Sequence, residues 1–157
     1  MEKTRQSIFE TNSSSVHTLV FPKPDKEMKI HPSLIGENGV ITVECDYFGD
    51  SGVVYGQYEK LQYLCTWIAL ATSHGPHGDS CEDFSADDCW ELRRYLLEPI
   101  QEADPSVKNI TVTKVDRAGF DHQTHPRECS CVVDLCNEEA LRNFIFNDGI
   151  RILMSRD

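Results

Sequence analysis

The chain of 157 residues has the length of one ordinary domain, and its 39% hydrophobic residues are sufficient for a packed core. A formal net charge of −11 argues against binding to a nucleic-acid backbone or to an anionic membrane, because like charges repel over most of the surface. The chain shows neither a signal peptide nor an apolar run of about 18 residues. We therefore expect a cytoplasmic protein in which residues 1–157 form a single domain.

Alternation of polar and apolar residues predicts the strands. In residues 40–48 the side chains of Ile41, Val43, Cys45 and Tyr47 are expected to share one face of a strand. Four further segments are predicted as strands on the same grounds, namely residues 16–21, 109–115, 129–135 and 150–154.

Apolar residues spaced three and four apart predict a largely buried helix over residues 57–72. A second helix is predicted near residues 86–102, with Ser85 as its N-cap and a kink or an early end at Pro99. Asn137 is predicted to cap a last helix that ends at Gly149. Strands and helices do not alternate regularly along this chain. The fold class predicted is therefore α+β, a mostly antiparallel sheet of about five strands packed with about three helices.

The segment "FETNSSSVH" places a run of small polar residues immediately before the first strand. Successive backbone amides and hydroxyls in such a run can form a nest for an anion or a phosphate group. The predicted ligand-binding residues are Asn12, Ser13, Ser14 and Ser15. His17 follows one residue into the strand, where an imidazole can act as an acid, a base or a donor. The alternative is a simple turn followed by a histidine at the edge of the core.

Two segments repeat the spacing His-x2-His-x3-Cys. The first array is His74, His77 and Cys81, and the second array is His122, His125 and Cys129. Imidazoles and thiolates at this spacing in a loop suit tetrahedral zinc, so zinc is the cofactor that the sequence suggests. Neither array contains a Cys-x2-Cys knuckle, and cysteine also packs as a small hydrophobic residue. Core cysteines and surface histidines are therefore the alternative.

Asp121 and His122 bring a carboxylate next to an imidazole, as in catalytic dyads, and Gln123 adds a further polar group. Adjacent residues of an extended segment point in opposite directions, so the two side chains would serve different neighbours. Together with His17 they are the predicted catalytic residues, and Gln123 is a predicted ligand-binding residue. No nucleophile-elbow pattern supports a serine triad.

Residues 81–91, "CEDFSADDCWE", are dense in carboxylates. Such a stretch is usually a solvated face. It can also imitate a nucleic-acid backbone and occupy a basic groove on another protein.

Residues 5–20, "RQSIFETNSSSVHTLV", closely resemble the opening of a set of uncharacterised proteins from phages and Gram-positive bacteria, which begin with Phe-Glu-Thr-Asn-Ser-Ser-Ser-x-His-Ser/Thr. Similar segments occur at residues 59–68, 120–124 and 143–153. The resemblance implies a phage or mobile-element setting, with the host cell cytoplasm as the location. It also implies a shared polar constellation around residues 12–17 and 121–122.

The preferred hypothesis from the sequence is a phage-type protein whose polar pocket binds, or even hydrolyses, a small anionic ligand such as a nucleotide or phosphate. In this hypothesis the serine segment and the Asp121–His122 pair meet around one cavity. One alternative is an acidic inhibitor that docks on a basic surface of a host protein, such as a defence nuclease. The other is a zinc-stabilised interaction module. The residues leave open whether the protein is an enzyme.

Overall fold

The computed structural model describes residues 15–20, 28–49, 52–72, 83–113, 118–120 and 136–156. The strands in this part of the chain are β1 (Ser15–Val20), β2 (Val40–Glu44), β3 (Tyr47–Phe48), β4 (Gly52–Val54), β5 (Phe84–Ser85), β6 (Asn109–Thr113), β7 (Gly119–Phe120) and β8 (Arg151–Arg156). The helices are α1 (Gln57–Ala71), α2 (Trp90–Leu92), α3 (Glu98–Ala103) and α4 (Glu138–Phe146), with a 3-10 turn at Pro32–Leu34 and a π-helical turn at Arg93–Leu97.

The strands form three small sheets. In the first, β8 lies between β1 and β4 and is antiparallel to both. In the second, β6 lies between β2, which is parallel to it, and β5, which is antiparallel. In the third, β3 and β7 pair in parallel. The α+β class is confirmed, whereas the single, mostly antiparallel sheet is matched only roughly. The strand predicted over residues 129–135 lies outside the described residues.

Helix α1 is the centre of the core, as its dense apolar pattern predicts. Its residues from Lys60 to Ala69 are buried with the exception of Gln62. The ring of Phe120 packs against Phe48, Tyr63 and Trp67, with centroid distances of 5.5, 5.0 and 5.3 Å. The buried apolar side chains form one continuous cluster, so the helices and all three sheets contribute to a single hydrophobic core.

The strand predicted over residues 40–48 is interrupted after Glu44. Ile41, Val43 and Cys45 are buried as predicted, but Tyr47 is 53% exposed and Phe48 is buried in its place. At the interruption, the backbone N–H of Asp46 donates to Thr66 Oγ1 of α1 at 3.1 Å, and the N–H of Tyr47 donates to the Asp46 carboxylate at 2.7 Å. These bonds replace ladder bonds and reverse the side-chain alternation. The prediction for Tyr47 was therefore wrong.

The second helix begins later than predicted and continues past its proline. Ser85 caps a turn rather than the helix, because its Oγ accepts from the N–H of Asp87 at 3.2 Å, while helix α2 starts only at Trp90. A proline ring clashes with the carbonyl four residues earlier in an α-helix. The π-helical turn before Pro99 relieves that clash, since the N–H of Glu98 donates to the carbonyl of Arg93, five residues back. Residues 90–103 are therefore one continuous helical rod.

Helix α4 follows its predicted cap. The Asn137 side chain accepts a hydrogen bond from the N–H of Ala140 at 3.0 Å, and the helix ends at Phe146, three residues before the predicted Gly149. Within the described ranges, the helices are all too short or too polar to cross a membrane.

Candidate functional site

The serine segment is described only from Ser15 onward. Ser15 and His17 lie in β1, and the antiparallel register pairs their Cα positions with Arg156 and Met154 of β8. By strand alternation, positions 15, 17, 154 and 156 lie on one face of the sheet. This is also the face of Ile152, which is fully buried. Asn12, Ser13 and Ser14 lie outside the described residues.

Asp121, His122 and Gln123 also lie outside the described residues, so their predicted meeting with the serine segment stays a prediction. The chain reaches them from Phe120, which is fixed in the aromatic cluster beneath α1. In the part of the chain that the structure describes, β7 pairs with β3, whereas β1 pairs with β8. The two segments therefore belong to different sheets at the points where the structure describes them.

Both zinc arrays fall outside the described residues: His74, His77 and Cys81 of the first, and His122, His125 and Cys129 of the second. Among the residues that are described, no group of three histidine, cysteine, aspartate or glutamate side chains could hold a metal ion. Cys45, Cys65 and Cys89 are buried. Burial raises the pKa of the Cys89 thiol, and its Sγ lies 3.6 Å from a carboxylate oxygen of Glu91. These three cysteines are core residues.

The described part of the acidic stretch, residues 83–91, surrounds an exposed aromatic side chain. Trp90 is 63% exposed, although tryptophan is usually well buried. Asp83, Asp87 and Asp88 on the same stretch are exposed as well. Asp87 also forms an ion pair with Arg93 at 2.6 Å, which holds the turn against the helical rod.

Trp90 forms one wall of a small cleft of about 210 Å³, here called the Trp90 patch. Its ring meets that of Tyr95 edge to face at a centroid distance of 5.8 Å. Arg94 forms an ion pair with Glu98 of the same helical rod at 3.0 Å. It forms a second ion pair with Glu138 of α4 at 3.5 Å, which connects the rod to α4. The residues that line the Trp90 patch are Trp90, Arg94, Tyr95, Pro99, Cys136, Glu138 and Leu141.

A larger cavity of about 810 Å³ opens at the N-terminal end of α1, and we call it the α1 groove. Four segments that are distant in sequence build it, and its size falls within the range of small-molecule sites. The α1 groove is lined by Lys29, Ile30, His31, Pro32, Leu34, Ile35, Tyr55, Gly56, Gln57, Tyr58, Glu59, Asp104, Ser106, Phe146 and Asp148.

Gln57, the first residue of α1, holds two walls of the groove together. Its side-chain oxygen accepts from the N–H of His31 at 2.7 Å, and its Nε2 donates to the carbonyls of Lys29 at 3.0 Å and Ile145 at 3.4 Å. One amide side chain therefore ties the segment before β2 and the end of α4 to the start of α1. These three bonds hold the walls of the groove in place.

Two carboxylates of the groove are occupied by local hydrogen bonds. Glu59 accepts from the N–H groups of Tyr55 at 3.1 Å and Gly56 at 3.2 Å, and its charge suits the positive end of the helix dipole. Asp104 accepts from the Oγ of Ser106 at 2.6 Å and from its N–H at 3.1 Å. The Ser106 hydroxyl is the main cause that lowers the pKa of Asp104, so this carboxyl group is ionised at neutral pH.

Asp148 differs from these two carboxylates. No described residue donates a hydrogen bond to it, and it is exposed to the groove. Its charge acts on Lys60, which is fully buried and donates to the carbonyl of Asn147 at 2.7 Å. Burial lowers the pKa of Lys60 from 10.5 to about 8, and the charge of Asp148 partly offsets that effect.

His31 presents an imidazole at the mouth of the groove. Its Nδ1 lies 2.7 Å from the Oγ of Ser33 and 3.4 Å from the Ser33 N–H. The Ser33 N–H donates to Nδ1, so this side of the ring is turned toward the 3-10 turn at Pro32–Leu34.

No protein family, curated protein or solved structure matches the chain. The α1 groove and the Trp90 patch were both missed by sequence reasoning. The groove has no local signal, because its residues come from separate segments with unremarkable spacing. The exposed tryptophan had one available signal, its position between carboxylates at residues 87–91.

Proposed function

We propose that this protein is an acidic docking protein that uses the Trp90 patch to bind a basic surface of a partner protein. The observation that carries the proposal is the 63% exposure of Trp90, the first residue of α2, directly after a carboxylate-rich turn. The resemblance implies a phage or mobile-element setting. In that setting the partner is a host protein, such as a defence nuclease, and this chain inhibits it. No catalytic step is required.

The aromatic side chains supply the affinity in this proposal. Tryptophan, tyrosine and arginine are the residues most enriched at binding hot spots, and Trp90, Tyr95 and Arg94 all line this cleft. Burial of the exposed part of an indole removes roughly 150 Å² from water, which contributes about 4 kcal/mol. The edge-to-face contact with Tyr95 and the ion pairs of Arg94 hold the patch in shape before binding.

The carboxylates supply the selectivity. Residues 83–98 contain five carboxylates and two arginines, so the stretch of chain that carries Trp90 has a net negative charge. A surface of one sign increases the rate of encounter with an opposite charge and repels partners of the same sign. The same negative charge disfavours binding of a nucleic acid. It favours binding to a basic groove of a partner protein that normally holds nucleic acid.

The test is an affinity capture from a lysate of a Gram-positive bacterium at low salt, followed by titration with the purified captured protein. We expect stoichiometric binding that weakens with salt, and a loss of about 2 kcal/mol or more in Trp90→Ala. Tyr47→Ala is the matched control, because Tyr47 is 53% exposed on a different part of the surface. Equal binding by Trp90→Ala and wild type would remove the patch from consideration.

A second candidate is the anion-binding site around the serine segment, and one observation favours it. The register of β1 and β8 pairs Ser15 with Arg156, so an arginine position lies across the ladder from the end of the serine triplet. Arginine is the preferred partner of phosphate oxygens. The serine hydroxyls and amides, His17 and Arg156 would then bind a nucleotide or phosphate.

Calorimetric titration with ATP and with inorganic phosphate tests this second candidate. We expect the double variant His17→Ala/His122→Ala to lose binding while its thermal stability stays close to that of wild type. Arg156→Gln should weaken phosphate binding in the same way. A collapse of stability in the double variant would instead identify core histidines.

A further inference from the structure

We propose that the α1 groove binds a linear polyamine, a chain of methylene groups that carries two or more ammonium groups. The proposal is independent of the docking function of the Trp90 patch. It rests on the shape of the groove, on its charges and on the arrangement of apolar and aromatic side chains within it.

The charges of the groove favour a cation. Glu59, Asp104 and Asp148 are negative, and Lys29 is the one lysine or arginine among the lining residues. Local hydrogen bonds engage Glu59 and Asp104 on one side, while Asp148 accepts none from the described residues. Asp148 is therefore the carboxylate best placed to receive an ammonium group, through a charge-assisted hydrogen bond.

The apolar surface of the groove favours methylene groups between the charges. Ile30 is 2% exposed and forms the floor, and Leu34, Ile35 and Phe146 line the groove around it. A hydrated metal ion would leave these side chains uncovered, whereas a polyamine covers them with its carbon chain. The cavity of about 810 Å³ is large enough for a molecule of that size.

Tyr55 adds a face for the cation. Its ring lines the groove and is 60% exposed, so a ligand ammonium can lie over it. An aromatic face within about 6 Å of a cation is attractive. Neighbouring carboxylates strengthen that preference by excluding anions from the same site.

The groove is also formed in advance. Gln57 joins the segment of Lys29 and His31 to α1, and the helix begins with Gly56 and Tyr55 already bonded to Glu59. A ligand that enters this site does not have to order its walls, which removes one of the costs of binding.

Calorimetric titration of the full chain with spermidine at low salt tests the proposal. We expect saturable binding of one spermidine per chain. Asp148→Asn should weaken it about tenfold, as expected for loss of one charge-assisted contact, and Asp148→Glu should restore most of it. Tyr55→Ala should also weaken binding.

Matched controls separate the groove from the general charge of the protein. Glu139→Gln removes the same charge from an exposed position outside the groove and outside the Trp90 patch, and Tyr47→Ala removes an exposed ring elsewhere. Both should bind spermidine as wild type does. Equal weakening by Asp148→Asn and Glu139→Gln, an absence of saturation, or equal competition by magnesium chloride at the same ionic strength would overturn the proposal. Thermal melts of each variant show whether the fold is retained.

Discussion

Lys60 gives the most quantitative prediction, because a fully buried ammonium group makes the stability of the protein depend on pH. Its pKa is about 8 in the folded protein and 10.5 in the reference state. The charged form is therefore disfavoured by folding, and the unfolded chain binds more protons between these two values. The free energy of unfolding must rise with pH across this window, and the contribution of Lys60 is most unfavourable below pH 8.

The size of the effect follows from the same two pKa values. The difference of 10.5 − 8 is 2.5 units, which corresponds to a total penalty of about 3 kcal/mol. Between about pH 7 and about pH 9.5, proton linkage reduces this penalty by about 2 kcal/mol. Lys60→Met keeps most of the apolar stem and removes the titrating group.

Urea denaturation of wild type and Lys60→Met at several pH values measures this difference. The stability of wild type relative to the variant should increase by about 2 kcal/mol from pH 7 to pH 9.5. Arg151→Met is the control for loss of a positive charge, because Arg151 is exposed whereas Lys60 is buried. If the free energy of unfolding of wild type minus that of Lys60→Met stays constant or falls as pH rises, the burial of Lys60 as described is refuted.

Three further predictions address the fold and the zinc arrays. Gly39→Ala should destabilise the protein by about 2–3 kcal/mol in the same urea assay, because Gly39 has φ +74° and a Cβ would lie 2.5 Å from the Ser106 carbonyl oxygen. Gly56→Ala, whose Cβ would meet nothing closer than 3.7 Å, should cost much less, and equal losses would contradict the steric argument. Asn137→Ala should cost about 1 kcal/mol through loss of the α4 cap, and Asn137→Ser should restore most of it; an unchanged midpoint in Asn137→Ala would count against the cap. If the two arrays hold zinc, elemental analysis of the purified protein should find the metal and Cys81→Ser should reduce it, whereas protein purified without zinc would end that hypothesis.

The sequence predicted the elements better than their arrangement. Helix α1 and the Asn137 cap of α4 follow from local patterns, and both are present. Apolar alternation showed which side chains of β2 are buried, but it carries no information about direction. The parallel pairing of β2 with β6 was therefore not predicted. The passage of the helical rod through Pro99 was also missed, because the π-helical turn that allows it has no clear sequence signature.

The candidate sites were less predictable than the fold. Short polar motifs drew attention to residues 12–17 and 121–123, whose side chains the structure does not describe. The α1 groove depends instead on long-range contacts, such as the bond between Gln57 and the Ile145 carbonyl, 88 positions apart. Side chains that meet only after folding leave no spacing for a sequence pattern to reveal.

The central position of β6 has a consequence for how the chain folds. The pairing of β2 with β6 begins with Val40 opposite Asn109. Strand β2 must therefore wait for a partner that lies 69 positions later along the chain. Long-range pairings of this kind slow the search for the native topology. Until β6 arrives, Ile41 and Val43 are without their native cover, and this stretch is then an exposed apolar segment of the kind that chaperones bind during synthesis.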